Sequence, residues 1–187
     1  MKKIAITGAN GYLTSLIQLY NGNDYKFIRV STKDSDLSHP DLVYAYFDAL
    51  DMDVVVHTAA IAATAACQNE PERIHRVNAQ SAVEIAKVCR DKQKKFIFIS
   101  TEQVYNGKSE TGPFAEEDVP LTVTNYGLHT KRVENSVILR RSSQIGLALP
   151  DVHPSVNLIK QTLSAIRSQN PTYFTVNEKR GITYASV

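Results

Sequence analysis

Short apolar runs alternate with stretches of helical period along most of the chain. Ile4-Ala5-Ile6 predicts a short buried strand, and Tyr12 to Tyr20 an amphipathic helix after a glycine turn. Phe27-Ile28-Arg29-Val30 is the second predicted strand. Pro40 opens a helix that runs to about Leu50, with Ser38 or His39 near its cap. Val54-Val55-Val56 is apolar on consecutive residues, as in a strand covered on both faces. A loop of small residues from Ala59 to Ala66 leads to a long helix from near Pro71 to about Asp91, with Ile74, Val77, Ala82, Ile85, Ala86 and Val88 on its apolar stripe. Phe96 to Ile99 is a fourth strand. A loop broken by Gly107, Gly112, Pro113 and Pro120 follows, then a short helical segment from Tyr126 to Glu134 and a fifth strand at Val137-Ile138-Leu139. Strands alternating with helices predict an α/β fold built of right-handed βαβ units, with a parallel sheet and helices on both faces.

Composition narrows the class. The chain has 187 residues, 43% hydrophobic and 21% charged, with a formal net charge of +2. That suits one globular domain, or one domain with a fragment of a second. No apolar run reaches the ~20 residues of a membrane span, and the N-terminal apolar stretch is too short for a signal peptide. A cytoplasmic protein without membrane or nucleic-acid partners is expected. The densest basic cluster, Arg90 to Lys95, is interrupted by Asp91 and Gln93 and reads as a solvated helix end. Cys67 and Cys89 form no CxxC pair and read as reduced, buried residues. The five histidines form no metal-ligand spacing, so no metal is expected, and His57 reads as a packed residue at a strand end.

The chemistry concentrates at Thr7-Gly8-Ala9-Asn10-Gly11-Tyr12-Leu13-Thr14, between the first strand and the first helix. Gly8 permits a tight turn. Gly11 lets the backbone approach a pyrophosphate where the free N–H groups and dipole of a helix N-terminus favour an anion. This is the fingerprint of a Rossmann-type nucleotide site. Thr14 stands where its third glycine serves close helix–strand packing, and is expected to push the helix out slightly.

The Gly8-x-x-Gly11 spacing resembles that of the extended short-chain dehydrogenase/reductases, and further segments match in order. Asp36-Leu37 resembles the pair that contacts adenine, Thr58-Ala59-Ala60 the segment lining the cofactor, and Asn78 the asparagine of the central helix. Ser100-Thr101-Glu102 with Val104-Tyr105-Asn106-Gly107 resembles the strand carrying the catalytic hydroxyl, and Asn125-Tyr126-Gly127 the start of the catalytic helix. Within that superfamily the chain is most similar to the dTDP-4-dehydrorhamnose reductases and related sugar-nucleotide reductases. The resemblance implies an NADP(H)- or NAD(H)-binding domain over residues 1–150 and an incomplete C-terminal substrate lobe over 151–187. It also implies a nucleotide-linked keto sugar as substrate, and a homodimer formed through the helices near Ile74 to Val88 and from Tyr126. Tyr126 becomes the general acid, Thr101 (rather than Ser100) a hydrogen-bond donor to the same oxygen, and a lysine after the tyrosine the holder of the nicotinamide ribose. Gly8, Asn10, Gly11, Tyr12, Leu13, Ser31, Lys33, Asp36, Leu37, Thr58, Ala59, Ala60, Asn78 and Ser100 are the expected cofactor contacts.

Three features depart from that pattern. Lys131 lies five residues after Tyr126, with Thr130 in the expected place. A residue four positions on sits roughly 40° around a helix, and five on roughly 140°. Lys131 therefore points off the face that Tyr126 presents unless the helix unwinds locally or Lys131 bends back along its flexible stem, which leaves a non-catalytic NAD(P)-binding regulatory subunit as the alternative reading. An NAD-dependent epimerase or dehydratase of the same fold is a further one. Only Asn135 and Ser136 separate Glu134 from the fifth strand, so about ten residues of a crossover helix are missing. The chain also stops at Val187, and stretches of a longer parent protein are expected to be absent. Finally, Arg29 to Lys33 carries two cations and no acid at the end of the second strand, which leans towards NADP(H).

Overall fold

The computed structural model describes residues 1–62, 69–105, 107, 112–121, 136–145, 158–169 and 182–184. The chain opens with β1 (Lys2–Thr7), α1 (Tyr12–Asn21), β2 (Tyr25–Val30), α2 (Pro40–Ala49) and β3 (Val54–His57). Next come α3 (Pro71–His75), a wide π-helical turn (Arg76–Gln80), α4 (Ser81–Asp91) and β4 (Lys95–Thr101) with a 3-10 turn (Glu102–Tyr105). Then follow β5 (Ser136–Arg141), β6 (Ser143–Ile145), α5 (Leu158–Ser168) and β7 (Ile182–Tyr184). The predicted helix from Tyr126 to Glu134, and with it Tyr126 and Lys131, lies outside the described residues, as does Cys67.

Five strands form one parallel sheet in the order β2-β1-β3-β4-β5. The chain leaves β1 for β2 on one side and returns to β3 on the other. That reversal opens a crevice beyond the carboxyl ends of β1 and β3, where ligands of open α/β sheets bind. Thr7 is paired with Val30, so Ser31 leaves β2 beside Gly8.

Under one face, Phe47 of α2 and Ile85 and Val88 of α4 pack on Ala5, Val55 and Phe96 of the sheet. All six are within 1% of complete burial. Burying each large apolar side chain contributes about 1.5–3 kcal/mol. This slab therefore fixes the strand ends rigidly. Val137 and Leu139 of β5, by contrast, stay half exposed.

The helix predicted from Pro71 to Asp91 keeps its helical path but widens by one turn at Arg76–Gln80. Apolar periodicity tolerates one wide turn, so it gives no warning of the change. Ile74, Ile85 and Val88, named above for a dimer contact, are fully buried within the chain itself. β6, α5 and β7 lie in segments for which the apolar pattern predicted no element.

Candidate functional site

Gly8 adopts φ +65, a backbone conformation favouring glycine. A Cβ there would stand 2.9 Å from Thr58 Oγ1 and 3.2 Å from the Ala59 backbone. The close approach thus excludes any side chain. The Gly11 N–H donates to the Gly8 carbonyl at 2.8 Å and closes the turn. Helix α1 starts at Tyr12, and among the described residues no side chain caps its N-terminus, the end of a helix that favours an anion.

Beneath the turn lies a chain of hydroxyls. Thr7 Oγ1 accepts the N–H groups of Thr58 and Ala59, both at 3.1 Å. With both lone pairs engaged, its proton goes to His57 Nδ1 at 2.9 Å. Thr58 Oγ1 donates to the Thr7 carbonyl at 2.7 Å. Its proton committed, it accepts from Thr14 Oγ1 at 2.8 Å. Thr14 is 0% exposed. Its hydroxyl ties α1 to the end of β3 where the fingerprint glycine would have packed.

The bond from Thr7 fixes the tautomer of His57. Nδ1 accepts, so the ring hydrogen is on Nε2, which has no partner among the described residues. The ring stacks on Phe98 at 5.6 Å and lies 6.2 Å from Phe96. Complete burial pushes its pKa down to about 4, so it is a neutral, packed residue, as expected from the strand end. Burial likewise pushes the Cys89 thiol up to about 12, which leaves it inert.

Around this centre the other candidates fall into place unevenly. Asn10 accepts from Arg29 Nη2 at 3.0 Å, and the same nitrogen donates to the Ala9 carbonyl at 2.8 Å. Arg29 thereby clamps the glycine turn to β2, a role the sequence pattern did not assign. Ser31 donates its N–H at 2.8 Å and its hydroxyl at 2.6 Å to Asp34, and the Lys33 N–H lies 3.3 Å from Ser31 Oγ. Asp36 accepts from the Ser38 N–H and hydroxyl and pairs with His39, so its carboxylate orders the approach to α2. Leu37 is buried in the core. Asn78, in the π-helical turn, holds both backbone groups of Ile61: it accepts the N–H at 2.8 Å and donates to the carbonyl at 2.9 Å. That clamp steadies the segment Thr58-Ala59-Ala60.

Ser100 and Thr101 end β4, separated from β1 by β3. Thr101 Oγ1 donates to the Glu102 carboxylate at 3.1 Å and accepts the Gln103 N–H at 3.2 Å. A bond from Thr101 to a substrate oxygen therefore has to replace its bond to Glu102. A depression of about 480 Å³ between the start of α2 and the π-helical turn is lined by Pro40, His75, Ala79 and Val83 among others, and none of the candidate residues. The site argued from chemistry lies at the strand ends. Among the described residues no set of histidines, cysteines and acids could hold a metal, and no helix is long and apolar enough to cross a membrane.

The RmlD substrate-binding domain family model matches residues 1–146, which takes in the glycine turn, the hydroxyl chain and β4. The chain belongs to that family. A probable low-salt glycan biosynthesis reductase of Haloferax volcanii is 28% identical to this family member over 71% of the chain and 47% of its own length. The methionine adenosyltransferase 2 subunit beta of Bos taurus is 24% identical over 88% of the chain and 51% of its own. The chain spans about half the length of these curated relatives. The crystal structure of dTDP-4-dehydrorhamnose reductase from Bacillus anthracis in complex with NADP superposes with a TM-score of 0.72. It has 21% identity and covers 91% of this chain and 61% of that one. The likeness shows the fold, a parallel Rossmann-type sheet flanked by helices.

Proposed function

We propose that this RmlD-family chain is the dinucleotide-binding part of an NAD(P)H-dependent reductase acting on a nucleotide-linked 4-keto sugar. The carrying observation is the Gly8–Gly11 turn. It joins β1 to an uncapped α1 at the sheet's switch point, with the hydroxyls of Thr7, Thr14 and Thr58 buttressing it. The residues present fit the group. The glycine turn offers bare backbone and an open helix N-terminus to the pyrophosphate, and Thr58, Ala59 and Ala60 offer a wall steadied by Thr7 and Asn78. When bound, the dinucleotide supplies the two electrons and the hydrogen that reduce the keto carbon.

The chain's own residues then handle the oxygen. In this proposal the Tyr126 hydroxyl donates its proton to that oxygen as the carbonyl becomes an alcohol. Thr101 turns its hydroxyl from Glu102 to the same oxygen, and Lys131 steadies the ribose. Residues 151–187 belong to the substrate lobe. A homodimer through the outer side of the long helix completes the proposal, and light scattering at micromolar concentration checks it: a dimer mass is expected, and a monomer mass contradicts it.

The displaced Lys131 favours one second reading, a cofactor-binding subunit without turnover, and the likeness to a methionine adenosyltransferase subunit supports it. NADH and NADPH oxidation with a panel of keto-sugar nucleotides separates the two. Turnover that Tyr126→Phe abolishes supports the reductase. Tight cofactor binding with no cofactor oxidation by any of the keto-sugar nucleotides supports the subunit. The double change Thr130→Lys with Lys131→Thr is expected to raise kcat of the reductase.

A further inference from the structure

The two nicotinamide dinucleotides differ only at the adenosine ribose, which carries a 2′-hydroxyl in one and a 2′-phosphate in the other. A carboxylate at this point accepts a hydrogen bond from the hydroxyl and repels the phosphate. The residue that leaves β2 beside the glycine turn is Ser31, not an acid, and Arg29 and Lys33 flank it. Linear order alone therefore favours the phosphate.

Folding redistributes these charges. The chain turns tightly after Val30, with the N–H groups of Asp34 and Ser35 both donating to the Ser31 carbonyl at 3.0 Å. The turn brings Asp34 back over the end of β2, where one carboxylate oxygen, Oδ2, takes both the Ser31 N–H and the Ser31 hydroxyl. The hydroxyl of Ser31 leads the causes that hold the Asp34 carboxyl below its usual range, followed by the Ser31 amide, with Lys33 adding a smaller pull. The acid is thus ionised at neutral pH, and the nearest lysine is partly offset by it. Arg29 faces elsewhere. Its hydrogen bonds run to Ala9, Asn10 and Gln18, all in the glycine turn or α1, and none runs to the Ser31–Asp34 turn.

Resting on the dinucleotide reading above, we propose that Asp34, hooked onto Ser31, supplies the carboxylate of the ribose 2′ position and makes the chain select NADH over NADPH. This reverses the preference that the order of residues suggested. Ser31 acts as the positioning residue, holding the carboxylate at the end of β2.

Fluorescence titration of the 187-residue chain with NADH and with NADPH tests this directly. The wild-type chain is expected to bind NADH roughly tenfold more tightly or better, the scale of one carboxylate–phosphate repulsion near a protein surface. Asp34→Asn keeps an oxygen for the Ser31 N–H but removes the charge, and it is expected to close most of the gap by tightening NADPH. Ser31→Ala is expected to narrow the gap less. Added salt is expected to narrow it in the wild-type chain, an arm that needs no variant to fold. Equal or tighter binding of NADPH by the wild-type chain, a ratio untouched by Asp34→Asn, or a ratio indifferent to salt each overturns the proposal while leaving the dinucleotide site standing. Binding of neither dinucleotide overturns both.

Discussion

Thr7 carries more of the site than its place at the end of an apolar strand suggests. Its hydroxyl receives two backbone N–H groups and orients a buried histidine. Thr7→Val keeps the shape and removes every one of those bonds. It is expected to cost about 1–3 kcal/mol for the stranded N–H groups, read as a lowered urea midpoint. At Gly8, an alanine meets both the positive φ and the contacts with Thr58 and Ala59. Gly8→Ala is expected to cost at least ~1–2 kcal/mol and to weaken NADH binding tenfold or more. An unchanged dissociation constant would show that the dinucleotide does not rest on this turn. His57 sets a pH dependence. Its folded pKa is depressed to about 4 from 6.5, so the unfolded chain takes up a proton that the folded chain refuses. Stability is full above pH 6.5 and falls by up to about 3 kcal/mol as pH drops through the window to 4. Replacing His57 with Gln should flatten that part of a urea-midpoint profile. Glycine spacing made the turn legible in the sequence. The hydroxyl chain was not, because its members lie some 50 positions apart (|i−j| of 51 for Thr7 and Thr58) and only the pairing of β1 with β3 brings them together.

At the scale of elements, alternation of apolar runs and helical stripes located all five strands of the main sheet, and in four of them the run places a residue (Ala5, Val30, Val55 or Phe96) in the buried core. What periodicity could not convey was the change of pitch at Arg76–Gln80. The wide turn puts Asn78 where its amide reaches both backbone groups of Ile61. Asn78→Ala strands those groups and should lower stability by about 2 kcal/mol. Faster hydrogen exchange in the segment from Thr58 to Ile61 is expected with it. Exchange unchanged there would mean that the clamp is not what steadies the wall. Asp34 was equally hidden. Its return to Ser31 depends on a turn read from hydrogen bonds rather than from the order of charges.

Over the whole molecule, the sheet order β2-β1-β3-β4-β5 places a bare glycine turn, an open helix N-terminus and a braced wall around one crevice. These are the features a dinucleotide pyrophosphate needs, and they lie within the part of the chain that matches the RmlD family. NADH is expected to seat in this crevice. Hydrogen–deuterium exchange of the 187-residue chain, with and without saturating NADH, reports whether it does. Protection is expected to be strongest in the segment from Gly8 to Leu13, the turn from Ser31 to Asp34 and the wall from Thr58 to Ala60. Absence of protection at these three places, or protection centred instead on the depression beside Pro40, His75 and Val83, would contradict it.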